Sequence, residues 1–197
     1  LNVAIGNIAM GGGVTTGKCN VAIGSLAMDA LTSGTCNVAI GPNALGVMTT
    51  GIDNIAIGSN ALGGSLSGCE NIAIGCSVMC ANALTGIDNI AMGVFTMDAL
   101  TSGKCNLAIG FQALGASTTG CHNVAIGACA IGKCVFVGSN SVAIGQHAIC
   151  QQIGGERNVA IGYLAGSNSA GGNELVLLGA NAGANPEVNF TGNDTNQ

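Results

Sequence analysis

From its second residue the chain writes polar, apolar, small, apolar, glycine, and then writes it again. Asn2-Val3-Ala4-Ile5-Gly6 is followed by Asn20-Val21-Ala22-Ile23-Gly24 and Asn37-Val38-Ala39-Ile40-Gly41. The unit closes on Gly6, Gly24, Gly41, Gly58, Gly75, Gly93, Gly110, Gly127, Gly145, Gly162 and Gly179, always 17 or 18 residues apart. A short fixed period marks a solenoid, in which each repeat packs chiefly on its neighbours. Apolar residues two apart share one face of an extended chain, whereas a helix needs spacings of three and four. The pattern therefore predicts one β-strand per repeat, stacked in parallel on the next.

Two columns, three residues and one residue before each Gly, are β-branched or aliphatic. They comprise Val3, Ile5, Val21, Ile23, Val38, Ile40, Ile55, Ile57, Ile72, Ile74, Ile90, Met92, Leu107, Ile109, Val124, Ile126, Val142, Ile144, Val159 and Ile161. As the largest apolar side chains of the strand, they are expected to line the core of the coil. The position between them is Ala4, Ala22, Ala39, Ala56, Ala73, Ala91, Ala108, Ala125, Ala143 and Ala160. Alternation would then point this column outward, and an exposed stripe of small apolar residues predicts an interface with other copies of the chain. Asn stands four before the Gly in nine repeats, as a ladder of stacked amides or as the cap of the turn into the strand.

After each Gly come pairs such as Ala27-Met28 and Ala44-Leu45, expected to form a second short strand, and a further Gly closes most TTG or TSG turns. The predicted architecture is all-β: a parallel β-roll, or β-solenoid, of about eleven rungs of 17–18 residues spanning residues 1–183. At a strand spacing of about 4.8 Å it is a rod ~50 Å long. Residues 184–197 are polar and form a tail or linker.

Composition narrows the function. The chain has 34 Gly, 10 Cys, no Trp and 7% charged residues, with a formal net charge of −5. Its four basic residues, Lys18, Lys104, Lys133 and Arg157, are scattered, so nothing tracks a nucleic-acid backbone. No apolar run approaches the length of a membrane-spanning helix. The opening Leu1-Asn2-Val3-Ala4-Ile5-Gly6 begins inside a repeat, which suggests a piece of something longer.

Ten cysteines without a CxxC pair suggest an oxidising, extracellular setting. Cys19 and Cys36 each lie five residues before a repeat Gly, and Cys105 and Cys121 five and six before adjacent ones. Stacking would bring each pair into disulfide range, so these four are the disulfide candidates. Cys69, Cys76, Cys80, Cys129, Cys134 and Cys150 have no assignable partner. Cys121-His122 and His147-x-x-Cys150 are the nearest approaches to metal ligands, but neither has a second spaced pair, so no metal and no cofactor is expected. Neither a G-x-S-x-G nor a P-loop occurs, and no catalytic residue is assigned. Asn189 and Asn193 lie in N-glycosylation sequons.

The NVAIG-x-x-A unit resembles the head repeats of trimeric autotransporter adhesins, the YadA-like β-roll, and similar repeats in phage and large-virus tail or surface fibres. The resemblance covers Asn2 to about Gly183. It implies a left-handed roll, three chains intertwined as a homotrimer, and a place on the virion or cell surface. Added turn residues and the cysteines depart from the family's usual repeat. The expected function is a non-enzymatic segment of an extracellular fibre, a shaft or adhesin stacking end to end or meeting a surface receptor or glycan. The alternative is an ice-binding solenoid, whose water-ordering ladder would be Thr15-Thr16, Thr32-Ser33, Thr49-Thr50, Thr101-Ser102 and Thr118-Thr119.

Overall fold

The computed structural model describes residues 1–81, 83–132, 136–151, 155–167 and 172–183. Eleven three-residue strands follow one another: β1 (Val3–Ile5), β2 (Val21–Ile23), β3 (Val38–Ile40), β4 (Ile55–Ile57), β5 (Ile72–Ile74), β6 (Ile90–Met92), β7 (Leu107–Ile109), β8 (Val124–Ile126), β9 (Val142–Ile144), β10 (Val159–Ile161) and β11 (Val176–Leu178). They form one parallel sheet in chain order, with Val21 opposite Val38, Ala22 opposite Ala39 and Ile23 opposite Ile40, and so along the rod. This is the predicted β-solenoid. Among the described residues there is no helix, and none long and apolar enough to cross a membrane.

The phase of the alternation is opposite to the expected one. Ala22, Ala39, Ala56, Ala73, Ala91, Ala108, Ala125, Ala143 and Ala160 are at most 1% exposed and lie inside the coil; Ala4, on the terminal rung, is exposed. The columns from Val3 and Ile5 to Val159 and Ile161, expected in the core, face outward instead, half-buried by their neighbours or exposed. The Ala stripe is therefore the inner wall of one chain and cannot meet another copy.

Volume explains the inversion. The opposite wall supplies Ala27, Ala44 and Ala61 with the long side chains Met28, Leu45 and Leu62, and Leu31 and Met48 enter from the far turn, all buried. A methyl on the strand wall leaves room for them, whereas two β-branched residues per rung would overfill so thin a coil. The buried Asn column, two residues before the Ala column, shares its parity.

The expected second strand is absent among the described residues. Those positions are turns with left-handed backbones, such as Leu26 (φ 59°) and Met28 (φ 50°). Each such conformation costs about 1–2 kcal/mol, and it persists because every rung hydrogen-bonds the next: Leu26 N–H to Asn7 O at 2.9 Å, Met28 N–H to Ala44 O at 3.0 Å.

Candidate functional site

The feature that distinguishes this molecule is the outer side of its sheet. Two ladders of Val, Ile, Leu and Met run its whole length, with Ile40, Ile57, Ile90, Met92, Ile109 and Ile161 each 37–40% exposed. At ~4.8 Å per rung and ~3.3 Å per residue, the face is on the order of 50 Å long and 10 Å wide. That places it at the upper end of the apolar patches a monomer exposes. On the side following the Gly it continues into Val94, Phe95, Phe111 and Tyr163, all exposed. Phe95 and Phe111 meet edge to face with ring centroids 6.4 Å apart.

The other side of the face is a charged edge. The column five residues before the Gly reads Cys19, Cys36, Asp53, Glu70, Asp88, Cys105, His122, Asn140, Arg157 and Glu174. Every one is left-handed, with φ between 55° and 61°. Together with Lys18, Lys104 and Glu156 one position back, this edge holds all the charged side chains of the described residues except Asp29 and Asp98. Arg157 bridges Glu156 (3.2 Å) and Glu174 (2.9 Å). Burial pushes the Asp98 carboxyl up, and burial and the Asp98 charge do the same to the Cys80 thiol.

Asp53, Glu70 and Asp88 stack on consecutive rungs. A hydrogen bond with Asp88, the Asp88 charge, local desolvation and the Asp53 charge together raise the Glu70 pKa. A folded value above the unfolded one contributes stability that is complete below the ordinary carboxylate range and lost as pH rises through the raised value. The rod is thus expected to gain stability on mild acidification from neutral pH. Glu70→Gln should stabilise it at pH 7 and flatten that dependence; thermal unfolding across pH 4–8 checks both.

From Asn2 to Asn106 the interior polar column is an unbroken amide ladder, and it caps the turns as well. Asn37 Nδ2 donates to Asn20 Oδ1 (3.1 Å) and to Gly51 O (2.8 Å), while its own Oδ1 accepts from Asn54 N (3.0 Å) and Nδ2 (3.0 Å). Both roles expected for Asn are filled by one side chain. The ladder holds the rungs in register and presents nothing to a ligand.

Part of the Thr column is committed as well. Thr32, Thr49 and Thr101 donate their hydroxyl hydrogens to Thr49 O (3.0 Å), Leu66 O (3.2 Å) and Thr118 O (3.1 Å) of the next rung. Only acceptor lone pairs remain for water.

Cys19, Cys36, Cys69, Cys76, Cys80, Cys105, Cys121 and Cys129 carry free thiols. Cys19 and Cys36 share one column as expected. Cys105 and Cys121 do not: Cys105 N–H bonds Ile87 O (3.1 Å) like its column neighbours, whereas the Cys121 thiol turns onto Thr119 O (3.4 Å) of its own turn. Among the described residues no group of three or more His, Cys, Asp or Glu is placed to hold a metal ion. Cys134, Asn189, Asn193 and the tail 184–197 lie outside the described residues.

Two features escaped the sequence reading. The outward face carried a signal in the shared parity of Asn and Ala, since a stacked Asn column is at home in the interior. The carboxylate edge was legible as a column once aligned on the Gly. The chain matches no family model, no curated protein and no solved structure.

Proposed function

We propose that the chain is a non-enzymatic structural segment of an extracellular fibre, on a virion or cell surface, whose copies associate through the outer Val/Ile face. The observation that carries this reading is the unbroken apolar ladder along one side of a rod with a charged edge beside it. An apolar centre with a polar rim is the composition of a specific protein interface. Three copies bringing these faces together would remove the stripe from water along its whole length, and regular rungs make length a matter of repeat number. The few charged groups fit a spacer or adhesive shaft, which would reach a receptor or glycan through other surfaces.

Light scattering on the purified protein tests it. A mass of three chains is expected, and Ile57→Asp with Ile74→Asp should give a monomer with an unchanged far-ultraviolet circular dichroism spectrum, because both side chains point away from the coil's interior. A monomeric unmodified protein would overturn the proposal. A two-chain mass would retain the face and reject the trimer.

A further inference from the structure

The two stacked cysteines at one end of the charged edge have no role in that association. Cys19 and Cys36 occupy the same position of successive rungs, and both are left-handed, with φ of 61° and 58°. Cys36 N–H donates to Lys18 O (3.0 Å) of the preceding rung, the bond its column neighbours make, while Cys19 N–H donates to Leu1 O (2.8 Å) of the terminal rung. Neighbouring strands lie about 4.8 Å apart, inside the Cα separation of about 4.4–6.8 Å that a disulfide accepts. Similar left-handed φ at stacked positions puts both Cβ atoms on the same side of the rungs, so the bond needs only a small convergence to reach a Cβ separation of about 3.5–4.5 Å. Both residues are exposed, so a soluble oxidant reaches them.

We propose that Cys19 and Cys36 form a redox-controlled disulfide that staples the rung of β2 to the rung of β3. The oxidant is a small-molecule disulfide such as oxidised glutathione. The Cys19 thiolate attacks one of its sulfurs, giving a mixed disulfide and releasing one glutathione thiolate. The Cys36 thiolate then attacks the Cys19 sulfur, the Cys19–Cys36 bond forms, and the second glutathione leaves. Two protein thiols are oxidised, one external disulfide is reduced to two thiols, and the two protein protons pass to the released thiolates. Local desolvation, the Asp53 charge and Cys19 itself push the Cys36 thiol up, so ring closure quickens as pH rises. The bond closes one complete rung, and by the loop-closure argument it constrains the unfolded chain.

Titrating the whole protein with oxidised and reduced glutathione tests this independently of its oligomeric state. Cleavage before Asp29 separates the two cysteines, so a linked pair of peptides reports the bond by mass spectrometry. The expected result is a Cys19–Cys36 link that forms before any other, is reversed by reduced glutathione, and slows hydrogen exchange at β2 on the order of a hundredfold. In Cys36→Ser, Cys19 should accumulate as its glutathione adduct. Persistent adducts on both cysteines of the unmodified protein, a link to another cysteine formed first, or unchanged exchange at β2 would each overturn it.

Discussion

Gly41→Ala is expected to destabilise the rod by about 3 kcal/mol or more, enough to unfold the rungs around it. Gly41 sits at φ +131°, which L-residues rarely adopt, and an added Cβ would lie 2.6 Å from Gly58 O of the following rung. Neither term relaxes easily. Moving Gly58 away breaks the stack that fixes β3 against β4, and changing φ redirects the turn that carries the chain to the opposite wall. Gly13 separates the two contributions: it has φ +148° with nothing within 4 Å of a Cβ. Gly13→Ala should therefore show the backbone term alone, about 1–3 kcal/mol at most. Chemical denaturation of both variants, followed by circular dichroism, checks the ordering; equal effects would mean that the close approach of the rungs does not matter.

Asn54→Ala should cost about 3–5 kcal/mol, the second large effect. The side chain is fully buried and makes contacts in both directions along the rod. Its Nδ2 donates to Asn37 Oδ1 (3.0 Å), Ile52 O (3.1 Å) and Gly68 O (2.7 Å), and its Oδ1 accepts from Asn71 N (3.1 Å) and Nδ2 (3.2 Å). Truncation leaves Gly68 O and the Asn71 amide groups in a dry interior without this partner. Buried polar groups in that state lose roughly 1–3 kcal/mol each. Because neighbouring amides share oxygens, Asn37→Ala and Asn54→Ala together should cost less than the sum of the two. A double-mutant cycle measures this coupling. Additivity would show that each Asn acts only on its own turn and that the ladder as such contributes nothing. Asn158 offers a milder case: its rung stacks on Ser141, so it has no amide partner there, and its Nδ2 bonds Gly172 O (2.8 Å).

These two expectations involve residues whose roles were partly visible in the bare sequence. A Gly at every repeat boundary announces a turn that side chains cannot make, and its spacing sets the rung length. Asn recurring at one phase announces either a ladder or a cap, and the fold uses it as both. The carboxylate edge was implicit in the same alignment, yet its consequence, stacked carboxylates that raise the Glu70 pKa, depends on rungs being neighbours in space.

From the sequence alone, period and alternation determined the solenoid, the parallel register, and which residues share a face, because strand side chains have a period of two. They did not determine which face is inside. Val and Ile bury more apolar area than Ala, so a strand taken by itself prefers them inward. That preference is local, and the interior volume is a property of the closed coil. Only when the opposite wall sends Met28, Leu31, Leu45 and Met48 into the same thin space does Ala become the residue that fits, leaving the Val/Ile ladders on the outside.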